Sequence, residues 1–368
     1  MHGAVPTMAS AFANAALLIS FLIPPKLFAQ DTPLTQPALN SPPTAMSIAH
    51  ETIPMPKDPA AILNVAAKVN GLGGPGLRPW HVRVSYQTFD TNGHSQDFGT
   101  YEEFWISDKK YKRSYTSGNF TQTDFATDRG LYRSGNQNWP GFFEIMVRTE
   151  LIEPIPVAMS LRDLELGNNH RSFGKVKLQC VTLKSKTIFP KKDGYCFQQD
   201  QPVLRFASSK GGWNDTLYND VVVFQEHFLA RDIRLMAMGK PHLTLHIEDI
   251  EVLSTINESD FALPPDAVPV LGGKVTISEE TMKSLCLRTV APHYPENART
   301  SHIEGPVVMQ ITVGKDGHVT NAQAVSGPDA LRKAAIDSIR KWEFRPFLIL
   351  GEPNEVESKF EIIFSLSN

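Results

Sequence analysis

Two histidines, His242 and His246, stand four residues apart in the stretch HLTLH, where an extended strand would place both on one face. Imidazoles so spaced bind a metal when a third ligand lies close, and none follows nearby, so we predict no metal site and interpret both as surface or packing residues. A general acid and base must meet across a cleft, which the acids of one strand do not establish. We interpret the acids of HIEDIE, residues 246 to 251, as a solvated strand face.

Recognisable catalytic signatures are absent from the sequence. It contains no Gly-x-Ser-x-Gly elbow, no His-Glu-x-x-His, no Walker-type loop and no Cys-x-x-Cys pair. The glycine cluster GLGGPG, residues 71 to 76, follows a predicted helix where a phosphate loop would follow a strand, so we interpret it as a helix stop and a turn. We therefore predict no enzyme activity and no cofactor. An enzyme hidden in the β domain is the alternative hypothesis at this point.

Cysteine spacing suggests one disulfide. Of the three cysteines, Cys180 and Cys196 lie in apolar runs on either side of the turn PKKDG, so an antiparallel hairpin would let them face each other. Closing a loop of about 15 residues would contribute about 3 kcal/mol in the chain-entropy model. Two reduced core thiols are the alternative, because the register does not follow from the sequence. Cys286 is predicted to be a buried small hydrophobe.

The composition excludes one class of partner and favours two domains. The 36 Lys and Arg nearly balance the 39 Asp and Glu, for a net charge of −3, and no basic run occurs. Phosphate backbones require a positive footprint, so nucleic acid is not a predicted partner. A length of 368 residues favours two domains over one.

The amino terminus resembles an export signal in its pattern. The apolar run MASAFANAALLISFLI, residues 8 to 23, ends at two prolines, and Ala29 would precede a cleavage site. We predict a signal peptide over residues 1–29, a Pro-rich linker over 30–57 and a periplasmic location. A retained inner-membrane anchor is the alternative, because no Lys or Arg precedes the run, although it is shorter than the ~20 residues of a spanning helix.

Residues 58–268 have the pattern of one helix followed by a long series of strands. Asp58 is a candidate N-cap and Pro59 takes the first helical position of an amphipathic helix. From residue 80 onward, runs such as HVRVSYQTF, in which Val82, Val84 and Tyr86 share a face, alternate with turns. One helical stretch near 142–163 interrupts them. The pattern predicts an antiparallel β domain.

This succession, including TYEEFWISDKKYKRSYTSGNFTQTDFATDRGLYR, resembles the LolA and LolB superfamily of periplasmic lipoprotein carriers. The resemblance implies a half-barrel-like β domain that can shelter acyl chains. It gives an alternative function, a periplasmic carrier of lipid or another apolar ligand. The other interpretation is that the sheet is filled by its own helix and binds nothing.

The last hundred residues contain an ordered set of features, namely Tyr294-Pro295 with Ala298, Gly305 at the start of a strand, GKDGHV at a hairpin, SG before a helix, WEFRP, and Gly351 before a final strand. Over residues 275–368 this set resembles the carboxy-terminal domain of TonB, the envelope protein that transmits energy to outer-membrane transporters. The predicted fold is α+β: an antiparallel half-barrel-like β domain, then a small TonB-type domain with a helix packed on a three-stranded antiparallel sheet.

In that family the last strand lies at the sheet edge and accepts a short receptor peptide by strand addition. The resemblance therefore implies a periplasmic binding or energy-transducing protein that engages outer-membrane transporters in transmembrane transport. The residues predicted to bind the partner are Tyr294, Pro295, Val356, Phe360, Ile362 and Phe364. The last four share one face of the final strand. For Tyr294 and Pro295 a packed structural turn is the alternative.

Overall fold

The computed structural model describes residues 53–118, 120–156, 161–173, 176–209, 214–270 and 275–366. The predicted signal peptide and nearly all of the predicted linker lie outside the described residues. Within the described ranges, no helix is both long enough and apolar enough to cross a membrane.

The described helices are α1 (Pro59–Val69), α2 (Phe142–Ile152), α3 (Glu279–Leu285), α4 (Glu296–Thr300) and α5 (Asp329–Ile339), with a 3-10 turn at Glu258–Phe261. Helix α1 begins as predicted, because the Asp58 side chain accepts a hydrogen bond of 2.8 Å from the Ala61 amide. Helix α2 is shorter than the predicted stretch to residue 163. It ends at Ile152, two residues before Pro154, which cannot donate the next helical hydrogen bond.

The β lobe, which we define as described residues 53–270, is one large open sheet. Its strands are β1 (Trp80–Phe89), β2 (Ser95–Ser107), β3 (Lys110–Ser117), β4 (Thr121–Thr127), β5 (Gly130–Gly135), β6 (Glu165–Phe173), β7 (Val176–Lys184), β8 (Ile188–Pro190), β9 (Gly194–Gln198), β10 (Leu204–Ser208), β11 (Asn214–Phe224), β12 (His227–Ala237), β13 (Lys240–Val252) and β14 (Val268–Pro269). Thirteen of them form a single sheet in the order β14-β5-β4-β3-β2-β1-β13-β12-β11-β10-β9-β7-β6. The predicted antiparallel β architecture is confirmed, and the sheet does not close into a barrel.

Helices α1 and α2 cover one face of this sheet. Ile62 of α1 and Val147 of α2 are fully buried in the same hydrophobic core as Val82, Val84 and Tyr86, the three residues predicted to share a face of β1. The glycine cluster after α1 is a turn, as predicted. Gly71 has a φ of +85°, and a Cβ there would lie 2.7 Å from the Ile152 carbonyl oxygen, so the turn brings the ends of both helices together.

The predicted disulfide is confirmed. Cys180 on β7 and Cys196 on β9 lie directly opposite each other in the ladder and are covalently joined. Their bond lies in a small apolar cluster with Leu178 and Phe206. Cys286 is free and buried, as predicted, and burial raises the pKa of its thiol to about 12.

The carboxy-terminal lobe, which we define as described residues 275–366, contains the remaining strands. These are β15 (Val275–Thr276), β16 (Cys286–Val290), β17 (Gly305–Val313), β18 (Val319–Ser326), β19 (Glu343–Phe344), β20 (Phe347–Ile349), β21 (Glu352–Asn354) and β22 (Val356–Phe364). The predicted three antiparallel strands are β22, β17 and β18, and the short β15 adds to β22 in parallel, giving the order β15-β22-β17-β18.

Helix α5 packs on this sheet, as predicted. Leu331, Ala335 and Ile339 are fully buried. The helix ends at Ile339, and Trp342 lies three residues beyond it. The Trp342 ring packs edge-on against Phe360, with the ring centres 5.1 Å apart.

Candidate partner-binding edge

The last strand, β22, separates a buried face from an exposed one. Val356, Phe360, Ile362 and Phe364, the four predicted partner-binding residues on this strand, are all buried in the core of the carboxy-terminal lobe. Their side chains therefore anchor the strand in this core and do not reach solvent. That these four residues take part in partner binding stays a prediction. Because they are buried, they would do so by holding the β22 backbone in position.

Tyr294 and Pro295 form a packed turn before α4, the alternative that the sequence left open. The Tyr294 hydroxyl donates to the Ile303 carbonyl oxygen at 2.6 Å. Its ring contacts Phe364 edge-on at 5.5 Å, and Pro295 is the N-cap residue of α4. The turn therefore packs against the end of β22 through the Tyr294 ring. Whether these residues also touch a partner stays a prediction.

The backbone of β22 offers hydrogen-bonding groups away from its neighbour β17. The Ile277 amide donates to the Glu357 carbonyl oxygen at 2.9 Å, and the Glu361 amide donates to the Glu279 carboxylate at 3.2 Å. Both contacts come from the side opposite β17. Because backbone direction repeats every two residues in a strand, Lys359 and Ile363 direct their amides and carbonyls the same way.

Strand pairing therefore covers only the first part of this edge of β22. Strand β15 pairs with Val356 and Glu357, and no other described strand pairs with the stretch from Ser358 to Phe364 on this side. We name this stretch, 358–364, the free edge. It is a sheet edge of the type that accepts an extended peptide.

The outer face beside the free edge combines charge with one apolar position. Lys359 and Glu361 are exposed, and Ile363 is 68% exposed. Pro306, the residue opposite Ile363 on β17, is exposed as well. An isoleucine this exposed, beside an unpaired strand edge, is an apolar side chain that a partner could contact.

The carboxy-terminal lobe is attached to the β lobe by a shared sheet. Strand β8 of the β lobe pairs antiparallel with β16, which pairs in turn with β19. The Lys191 amide also donates to the Leu287 carbonyl oxygen at 2.7 Å. Side-chain contacts extend the junction: Arg345 is ion-paired with Glu153, and the Trp139 ring meets Phe347 edge-on at 4.8 Å. The described residues all belong to one compact unit, and the domain boundaries 58–268 and 275–368 stay predictions.

A small cavity of about 30 Å³ lies at this junction, with room for about one water molecule. The cavity is lined by the charged residues Glu150, Lys191, Lys192 and Arg345. Burial, together with the charge of Lys192, lowers the pKa of Lys191 to about 8. Lys192 is paired with Glu150 at 3.2 Å. The cavity is too small for a substrate, and we assign it no chemistry.

The predicted histidine pair does not form a joint site. His246 lies 2.7 Å from Asp232, whereas His242 packs against the rings of Phe142 and Phe143. Nowhere in the described residues do three or more His, Cys, Asp and Glu side chains gather in a way that could hold a metal ion.

Sequence reasoning missed a buried charge cluster under α2. Glu103 is fully buried and ion-paired with Arg113 at 2.7 Å and with Arg148 of α2 at 3.4 Å, and it accepts a hydrogen bond from the Tyr101 hydroxyl. Burial alone would raise the pKa of Glu103, but the two arginines and the hydrogen bonds outweigh it and lower that pKa to about 2. The signal was present, since Tyr101, Glu103 and Trp105 alternate along one face of β2.

Comparisons with known proteins single out the carboxy-terminal lobe. Residues 290–366 match the family model described as "Gram-negative bacterial TonB protein C-terminal". The chain is 36% identical over 66 residues to Protein TonB of Vibrio cholerae, covering 17% of this chain and 27% of that protein. It is 28% identical over 99 residues to Protein TonB of Xanthomonas campestris pv. campestris, covering 26% of this chain and 41% of that protein. The chain thus spans less than half the length of these curated relatives.

Solved structures are similar to a larger part of the chain. A LolA superfamily protein from Nitrosomonas europaea is 12% identical with a TM-score of 0.34, over 55% of this chain and 97% of that chain. A DUF1329 family protein from Desulfovibrio piger is 7% identical with a TM-score of 0.33, over 56% of this chain and 95% of that chain. The sequence match, by contrast, falls on the lobe that contains the free edge, and over residues 290–366 that lobe is similar to the carboxy-terminal domain of TonB.

Proposed function

We propose that this chain is a TonB-like periplasmic binding protein that engages an outer-membrane transporter by adding one of the transporter's segments as a strand to β22. The observation that supports this most is the coincidence of the TonB match with the free edge, which lies inside residues 290–366. Because backbone hydrogen bonds supply much of the affinity in strand addition, the buried side chains of β22 can serve the core while its backbone serves the partner.

The proposal extends from partner binding to energy transduction. A pull on β22 would pass to β17 through the ladder and to the β lobe through the sheet of β8, β16 and β19. The contact of Arg345 with Glu153 lies along the same path. Transduction also requires that residues 8–23 stay in the inner membrane, since only an anchored chain can pull on a partner.

Site-specific photo-cross-linking in cells tests the binding function. A benzophenone amino acid at Ile363, which is 68% exposed on the free edge, is compared with one at Phe98, which is 66% exposed on the β lobe. We expect an outer-membrane transporter, identified by mass spectrometry, to cross-link at position 363 and not at 98. Equal yield at both positions, or no transporter at 363, would contradict the proposal.

Sequencing the mature amino terminus tests the location. A terminus near Gln30 in the periplasmic fraction would indicate cleavage after Ala29. An intact Met1 in the inner-membrane fraction would support the anchored transducer instead.

The carrier of lipid or another apolar ligand is the weaker proposal. Helices α1 and α2 occupy the sheet face that would have to shelter an acyl chain, and part of that face holds the charges of Glu103, Arg113 and Arg148. An acyl chain would enter only if α2 moved away. Mass spectrometry of the gently purified chain decides, because a carrier would retain a bound lipid.

A further inference from the structure

The chain itself occupies part of the edge to which a partner would add. We propose that the docking site is limited to the free edge, residues 358–364, that β15 fixes where a partner strand must stop, and that the Glu279 carboxylate holds the place of a partner carbonyl at Glu361. This inference rests on the proposed function for the identity of the partner, but its geometry concerns this chain alone.

Strand β15 is a fixed part of the lobe. Val275 and Ile277 are both buried in the carboxy-terminal core, on either side of the Thr276 position that pairs with Glu357. Displacing this segment would expose two branched apolar side chains, which costs about 1.5–3 kcal/mol each. A partner that gains one or two backbone hydrogen bonds from the displacement does not recover that cost. The first part of β22, Val356 and Glu357, is therefore closed to a partner.

Glu279 is held differently. Its carboxylate oxygen Oε1 accepts from the Glu361 amide at 3.2 Å and from the Lys283 ammonium at 2.8 Å. It is a single side chain at the first turn of α3, and it takes the position in which a strand's carbonyl oxygen would satisfy the same amide. Rotation of one side chain uncovers that amide, whereas the apolar residues of β15 stay in place.

The partner that fits is a short extended peptide. The outward backbone groups belong to Lys359, Glu361 and Ile363, so a segment of about five residues completes the pairing. An aliphatic side chain on the outer face would cover Ile363, which is exposed. A proline at a paired position of the peptide would remove a ladder hydrogen bond.

Nuclear magnetic resonance on the full-length chain tests this inference with a stated probe, an acetylated and amidated heptapeptide of alternating Thr and Val. We expect amide shift changes from the peptide to fall on residues 358–364 and to spare Glu357 and Ile277. Changes that reach Ile277 would show that β15 is displaced and overturn the proposal, as would no binding at millimolar peptide.

Two variants examine the role of Glu279. In Glu279→Ala the Glu361 amide should exchange with solvent at least tenfold faster, and the peptide should bind about fivefold to tenfold more tightly, because a competing acceptor is gone. Glu280→Ala is the matched control, since Glu280 is the exposed acid next to it. Equal affinity in both variants would overturn the role of Glu279. If the peptide binds as expected while no transporter cross-links at Ile363, the proposed function fails and this inference stands.

Discussion

Arg345 of the carboxy-terminal lobe binds Glu153, the residue that follows helix α2 in the β lobe. Its Nη2 lies 2.9 Å from the Glu153 carbonyl oxygen, its Nη1 pairs with the Glu153 carboxylate, and its amide donates to the Leu285 carbonyl oxygen at 2.7 Å. Arg345 belongs to the WEFRP segment that marks the resemblance to TonB. In this chain the same segment attaches the lobe with the free edge to the β lobe.

Replacing Arg345 with alanine should loosen this attachment. The change removes two charge-assisted contacts, and we expect it to lower the free energy of unfolding by about 1.5–3 kcal/mol in urea titrations. Lys333→Ala is the control, because Lys333 makes an exposed pair with Asp337 within α5 and should change stability by less than about 0.5 kcal/mol. If the two variants lost equal stability, the junction would not depend on Arg345.

Replacing Glu103 with glutamine should be more costly. The substitution leaves Arg113 and Arg148 without their shared carboxylate in a buried site, and breaking such a pair costs about 3–5 kcal/mol. We expect urea titrations near neutral pH to show a loss of that order. A loss below about 1 kcal/mol would mean that the two arginines find other partners or solvent.

The same carboxylate predicts a dependence on acid. The folded pKa of Glu103, about 2, is lower than the ordinary value of 4.5, so its stabilisation is complete above pH 4.5 and is lost as the pH falls toward 2. The difference in stability between the wild type and Glu103→Gln should therefore be constant above that window and shrink within it. A difference independent of pH would contradict the lowered pKa.

His81 predicts the opposite trend. Burial lowers its pKa, but hydrogen bonds and charge from Glu102, at 2.8 Å, and Glu251, at 3.2 Å, outweigh burial and raise the pKa above 6.5. A raised folded pKa stabilises the fold fully below pH 6.5, and the stabilisation is lost as the pH rises through the folded value. The gap in Tm between the wild type and His81→Gln should be largest below pH 6.5 and shrink as the pH rises through the raised pKa of His81. His94→Gln, with a side chain 80% exposed, is the control.

Local features of the fold followed from the sequence where a few neighbouring residues decide them. Asp58 and Pro59 start α1, and Leu331, Ala335 and Ile339 give α5 its buried stripe. The charges of Glu103 and Arg113 were missed because acids and bases in strands are ordinarily solvated, whereas here the two neutralise each other inside the core.

The junction and the covered edge did not follow, because both depend on pairing between distant segments. Strand β8 has only three residues, and its partner β16 begins about a hundred residues later, so no local pattern indicates the match. Strand β15 has two residues, and the contact of Glu279 with Glu361 spans 82 positions. The resemblance to TonB implied that the last strand lies at a sheet edge, but it could not show that the chain fills part of that edge itself.

The hairpin between β17 and β18 gives the last prediction. Gly317 has a φ of +82°, and a Cβ there would lie 2.1 Å from the Phe344 carbonyl oxygen, which is backbone and cannot rotate away. The Phe344 amide also donates to the Gly317 carbonyl oxygen at 2.9 Å, so the hairpin rests directly on β19. Gly317→Ala must therefore strain the turn and push it off the strand that precedes Arg345.

Gly130→Ala separates these two effects. Gly130 also has a positive φ, of +123°, but a Cβ there would meet nothing within 4 Å, so the variant measures backbone strain without a clash. We expect urea titrations to give about 1–3 kcal/mol of destabilisation for Gly130→Ala, and clearly more for Gly317→Ala. Equal losses would mean that the hairpin moves away from Phe344 at little cost. In that case the contact would not help to hold the hairpin against β19.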